Sequence, residues 1–185
     1  MRRHRLDLRC IAIWVAGLAA IVASASPASA EPRVALVIGN SHYGGDLGLL
    51  PNPVNDAKLI AQTLRKVGFD VIEVEDADQQ AMKKAIVDFG DTLSGAGAGA
   101  TGLFFYAGHG IQSGGDNYLI PVHAALRKLS DVDVEAVPVD LVLKQMDFAQ
   151  SAVNIVILDA CRNNPLADSR RGITRGLAEI KTKPI

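Results

Sequence analysis

The sequence predicts one α/β domain in which a mostly parallel sheet carries helices on both faces. Three observations predict it. Residues 33–38 (RVALVI), 103–106 (LFFY) and 154–158 (NIVIL) are unbroken apolar runs, as strands buried on both faces require. Between them, apolar residues recur every three or four positions, the period of a helix with one buried face. The resulting order, β-α-β-α-β-β-α-β, calls for crossover connections and hence parallel strands. A length of 185 residues sets the expectation at one domain rather than two. A composition of 49% hydrophobic and 21% charged residues excludes a disordered or fibrous chain.

Residues 1–30 stand apart. Arg2, Arg3, Arg5 and Arg9 precede an apolar stretch at 10–23, and Ala28-Ser29-Ala30 offers small residues where a signal peptidase reads. The stretch is shorter than the ~20 residues that span a bilayer. The expectation is a cleaved secretory leader, hence an exported protein, periplasmic or secreted, with no stable membrane anchor. Cleavage after Ala30 would leave Cys161 as the one thiol. That excludes an intramolecular disulfide and denies a thiol redox reaction its resolving cysteine.

In the first expected strand, 33–38, the apolar run ends at Gly39-Asn40. Residues 41–52 are rich in Gly and Asn and read as a long loop at the strand's carboxyl end, where sites are commonly built. Ala57, Ile60, Ala61, Leu64 and Val67 give a helix over 54–67, stopped by Gly68. A second strand at 69–74 (FDVIEV), a helix over 79–93 and a Gly/Ala linker at 94–99 lead to the strand at 103–106. A short apolar piece at 118–121 (YLIP), a helix over 139–148 and the strand at 154–158 complete the order. From Arg162 onward the chain turns basic, without a sustained period. The domain boundaries expected are therefore a leader at 1–30, an α/β catalytic domain at 31–166, and at 167–185 a basic tail or the start of a second portion.

Several chemistries are excluded. A net charge of −1 gives no electrostatic case for binding nucleic acid. Gly97, Gly99 and Gly102 satisfy a dinucleotide-loop spacing but follow a helix and open a strand, the reverse of what that loop requires. No phosphate-binding G-x-x-x-x-G-K-[ST] and no G-x-S-x-G elbow occur. No Cys or His pair has zinc spacing, and the acidic clusters 73–78 and 131–135 lack a calcium-loop pattern, so neither a metal nor a cofactor is implied.

What remains is Cys and His. His109 directly follows the third long strand and Cys161 the fourth, 52 positions later. Both stand at strand carboxyl ends, where two loops of a parallel sheet can bring an imidazole and a thiol together.

These residues resemble a family. Tyr106-Ala-Gly-His109-Gly110, then Asp159-Ala-Cys161-Arg162, with Asn55-Asp56-Ala57 and the opening Ala-Leu-Val-Ile-Gly-Asn, look like the caspase-like cysteine peptidases, in particular their bacterial metacaspase-type (orthocaspase) members. The resemblance covers residues 33–166 and implies a three-layer α/β sandwich acting on polypeptides. It implies Cys161 as nucleophile, His109 as general base and then acid, and the N–H groups of Gly110 and Cys161 as an oxyanion hole. It also implies a primary pocket made acidic by Asp56 and Asp159, which would favour Arg or Lys at the cleaved position. Asp56 has a second reading as a carboxylate stabilising a helix N-terminus.

The chain departs from the family in one respect. The family pattern continues into a second portion with further strands, whereas 24 residues follow Cys161 here. A second functional reading follows: a truncated, inactive caspase-like module that binds a protein partner, or itself, at an open sheet edge. Arg170-Arg171-Gly172 is a candidate self-cleavage site for an enzyme preferring basic residues.

Overall fold

The computed structural model describes residues 30–161. Residues 1–29 of the expected leader (1–30), the basic tail and Arg170-Arg171 lie outside the described residues.

The strands are β1 (Arg33–Gly39), β2 (Asp70–Glu75), β3 (Thr101–Ser113), β4 (Asp116–Leu119), β5 (Val137–Pro138) and β6 (Val153–Cys161). The helices are α1 (Pro53–Lys66), α2 (Gln79–Ala96), α3 (Val132–Glu135) and α4 (Val139–Ala149). β2, β1, β3 and β6 lie side by side and all parallel, β4 pairs antiparallel with β3, and β5 pairs antiparallel with β4. This is the mixed α/β architecture that the sequence predicts, with helices on both faces of the sheet.

The period of two along each strand sorts side chains to the two faces. Ala35, Val37, Leu103, Phe105 and Ala107 pack against Ala57 and Ala61 of α1. Leu36, Ile38, Phe104 and Tyr106 pack against Met82, Ile86, Phe89 and Leu93 of α2 and Val142 and Met146 of α4. Each fully buried Leu or Phe here contributes about 1.5–3 kcal/mol. α1 starts on Pro53, whose missing N–H costs nothing in a first turn. Its first turn lies directly on Gly39, where a Cβ would come within 2.6 Å of both Ala57 Cβ and the Pro53 carbonyl oxygen. α2 is capped by Asp78, whose carboxylate accepts the Ala81 N–H at 2.8 Å.

Three expectations are corrected. The third long strand does not end at Tyr106 but runs on to Ser113, so His109 and Gly110 lie within a strand rather than in a loop after it. The reason is that the backbone beyond Ala107 keeps partners on both sides. β1 pairs with β3 only as far as Ala107, whereas β6 pairs with it through His109. On the side that β1 vacates, Ile120 N–H donates to the His109 carbonyl at 3.0 Å, and β4 takes over from Gly110 to Ser113. Gly114 and Gly115, at φ +62° and +98°, make the two-residue turn of this hairpin. The piece expected at 118–121 is thus the end of an antiparallel strand, and Cys161 is the last residue of β6 rather than part of a loop.

Candidate active site

The carboxyl edge of the sheet gathers the predicted residues. The β3–β6 register pairs His109 with Cys161 and Ala107 with Asp159. Adjacent strands lie about 4.8 Å apart, so the backbones of His109 and Cys161 are immediate neighbours. Gly110 follows in β3, paired with Leu119.

His109 is 5% exposed. Its Nε2 lies 3.1 Å from the Leu47 carbonyl oxygen. A carbonyl can only accept, so Nε2 carries the proton and Nδ1 of the neutral ring carries the lone pair. That Nδ1 is buried and has no hydrogen-bond partner among the described residues. Burial pushes the His109 imidazole below its usual range, and the Leu47 bond only partly offsets this. The ring is therefore uncharged at neutral pH with one basic nitrogen unused, the state a general base needs.

Sequence reasoning missed the groups that hold this imidazole. Tyr43 packs edge-on against the His109 ring, with centroids 4.6 Å apart, and its hydroxyl accepts the His109 N–H at 2.9 Å. Tyr106 donates its hydroxyl proton to the His109 carbonyl at 2.7 Å, and the two tyrosine oxygens are 3.1 Å apart. Burial pushes the Tyr43 phenol up to about 12, so it stays a neutral phenol at working pH. Gly108 makes room for both rings. A Cβ there would overlap the Tyr43 hydroxyl and stand 2.6 Å from that of Tyr106.

The loop that carries Tyr43 and Leu47 is itself tied down. The Asp76 carboxylate accepts the N–H groups of Ser41 at 2.7 Å and His42 at 2.9 Å, and meets the His42 ring at 2.6 Å. Burial alone would raise this carboxyl, but the N–H groups of His42 and Ser41 and the His42 ring outweigh it and hold it below its usual value. Asp76 sits at φ +46°, a left-handed conformation that Asp tolerates better than most residues. Asn40, fully buried, accepts the Ala77 N–H at 2.9 Å and donates to the Ala77 and Ile120 carbonyls at 3.3 Å each. It thereby joins the ends of β1, β2 and β4.

A prediction follows for the isolated imidazole. In Cys161→Ala, His109 titrates below the ordinary His value of about 6.5 and is the Nε2–H tautomer when neutral. Long-range ¹H–¹⁵N NMR reads both. Because the folded-state value is depressed, the stability due to the neutral ring is present above pH ~6.5 and is lost as pH falls toward the folded value. A value above 6.5 would contradict the assigned environment.

The two acidic positions lie toward one face of the sheet. Asp56 lies half-buried in the first turn of α1, next to Ala57, which packs against Ala107. Asp159 is exposed in β6 beside Ala107. No basic side chain meets either carboxylate among the described residues. No group of three or more His, Cys, Asp or Glu that could hold a metal occurs among the described residues.

A family model described as the caspase domain of peptidases matches residues 32–182. The chain is 32% identical over 133 residues to the human mucosa-associated lymphoid tissue lymphoma translocation protein 1, and equally to its mouse homolog. Each match covers 72% of this chain but 15% of the relative, so the chain spans only a small part of the curated proteins it resembles.

Proposed function

The chain belongs to the caspase-domain peptidase family, and from that premise we propose that it is a cysteine-type endopeptidase that cleaves after Arg or Lys. Cys161 gives its thiol proton to His109 Nδ1, and the thiolate sulfur attacks the scissile carbonyl carbon. The N–H groups of Gly110 and Cys161 stabilise the resulting oxyanion. His109 then gives the proton to the departing amine, and a water deprotonated by the same nitrogen hydrolyses the acyl-enzyme. Leu47 keeps its bond to Nε2–H through every step and so holds the ring in one orientation.

The observation that carries this reading is the buried Nδ1 of His109, without a partner among the described residues, in a strand position that is in register with Cys161. Asp56 and Asp159 supply the negative charge for a guanidinium or ammonium side chain. The test is hydrolysis by the full chain of fluorogenic peptides ending in Arg, Lys or Asp. Cleavage after Arg or Lys is expected, with Asp56→Ala and Asp159→Ala each lowering kcat/KM for Arg peptides about tenfold, the loss of one charge-assisted contact. Unchanged kinetics in both variants would remove the specificity assignment. The arginine-rich leader supports action outside the cytosol, tested by fractionating cells that express the full chain.

One observation favours a second reading, a protein-binding module. Val153, Ile155 and Ile157 of β6 are 49%, 37% and 43% exposed, an apolar row on the same sheet face as Asp159. A folded chain that cleaves none of the peptides would favour it.

A further inference from the structure

The imidazole of His109 meets no carboxylate among the described residues: its Nε2 bonds the Leu47 carbonyl, and its Nδ1 has no partner there. A ring held by a carbonyl and an edge-on phenol keeps its orientation only as well as the segment that supplies them. Both come from one loop, residues 41–50.

That loop is closed at its neck. The Ser41 carbonyl accepts the Leu50 N–H at 2.9 Å and the Tyr43 N–H at 3.1 Å, and His42 pairs with Leu49 in an antiparallel bridge. The head holds a single 3-10 turn, Gly45–Leu47, from which the Leu47 carbonyl reaches His109. One side chain grips the neck. Oδ1 of Asp76 accepts both the Ser41 N–H at 2.7 Å and the His42 N–H at 2.9 Å. The Asp76 N–H in turn donates to the Gly39 carbonyl at 2.9 Å, which fixes the grip to the end of β1. Ser41 is buried, and its hydroxyl accepts the Val54 N–H at the start of α1. Without Asp76 its own N–H would be a buried donor lacking this acceptor, so the neck would have to move to satisfy it. The head has a further tie, from the Gly44 N–H to the Val122 carbonyl at 3.2 Å, but this lies beyond the neck and does not hold Ser41 or His42.

We infer that Asp76 is a positioning residue for the reaction: by gripping the neck of the 41–50 loop it sets, through Tyr43 and Leu47, the orientation and tautomer of the His109 ring. It touches neither substrate nor the reacting atoms. The role of orienting the base, which a carboxylate can fill by bonding the imidazole directly, is here relayed through two backbone N–H groups. This rests on the peptidase reading and deepens it.

The test compares Asp76→Gly with Asp76→Asn in the full chain. Glycine adopts the left-handed backbone of this position without strain, so Asp76→Gly removes the acceptor alone. Asparagine also tolerates that backbone and keeps an oxygen at the Oδ1 position, where both N–H groups bond. On Arg peptides, Asp76→Gly should lower kcat about a hundredfold, with KM within about threefold, as a base displaced by about 1 Å would. Asp76→Asn should stay within about threefold of wild type in both. In the Cys161→Ala background, long-range ¹H–¹⁵N NMR should find His109 as the Nε2–H tautomer with Asp76 or Asn, and as a mixture of tautomers with Gly. A purely structural role would lower the unfolding temperature of Asp76→Gly yet leave kcat per folded molecule and the tautomer as in wild type, and would overturn the inference. An Asn variant as impaired as the Gly variant would also overturn it. If Asp76→Gly does not fold, Asp76→Ser, whose shorter side chain cannot keep both bonds, is judged by the same criteria. If a folded wild-type chain cleaves nothing, the peptidase reading fails, and an unchanged His109 tautomer in Asp76→Gly would separately overturn this one.

Discussion

Cys161→Ala and His109→Ala each lower kcat/KM on Arg peptides by at least about 1,000-fold, the scale seen when one member of a nucleophile–base pair is removed. Neither unfolds the domain. His109→Ala removes one hydrogen bond to the Leu47 carbonyl and an edge contact with Tyr43. Together these cost about 1–3 kcal/mol, and the backbone bonds of His109 to Tyr43 and Tyr106 do not depend on the ring. Because Nδ1 has no partner among the described residues, its loss leaves none of their donors orphaned. Thermal unfolding should therefore move only a few degrees while activity disappears. Residual cleavage by both variants at more than about a tenth of the wild-type rate would contradict the assigned pair.

Gly108→Ala should be nearly as damaging to activity, by a different route. The added methyl would fall on the Tyr43 hydroxyl and stand 2.6 Å from that of Tyr106, at a residue whose φ of +156° is rarely adopted by L side chains. The two phenols cannot both yield, because they hold the N–H and carbonyl of His109 and bond one another. Either β3 shifts at His109 or a buried hydroxyl loses its partner, at a cost of about 2–4 kcal/mol. The imidazole moves relative to Cys161, and displacements of about 1 Å can cost a hundredfold in rate. Kinetics and denaturant unfolding on the same sample check both effects. A variant with wild-type activity and stability would show that the tyrosine clamp does not position His109.

The sheet and its helices were legible in the sequence because burial imposes a period. Continuous runs marked β1, β3 and β6, and the spacing of Ala57, Ala61 and Leu64, or the apolar Leu141, Leu143 and Met146 within 139–148, marked the helices, although the face that α4 buries is Val139, Val142 and Met146. The extension of β3 was not legible, since Gly108 and Gly110 read as loop residues. What makes them strand is pairing with β6 and β4, which no local pattern encodes. Gly114-Gly115 between Ser113 and Asp116 did carry the signal of a two-residue hairpin turn. In the candidate site, His109 and Cys161 stood out by residue type and placement, and Gly110 through the family resemblance. The support around them did not. The Leu47 contact uses a backbone carbonyl, which every residue possesses. Asp76 reaches the site only because a left-handed residue turns the end of β2 toward the loop after β1. Tyr43 lay in a loop recognised as site-building, but its contact with β3 spans 66 positions.

The most direct test of the central claim is covalent capture of Cys161 by a peptidyl acyloxymethyl ketone ending in Arg, read by intact-mass and fragment mass spectrometry on the full chain. The account predicts one adduct, at Cys161, formed much faster than with the Asp-ending reagent and lost in His109→Ala. Absence of an adduct on a folded protein, or equal labelling with and without His109, would contradict it.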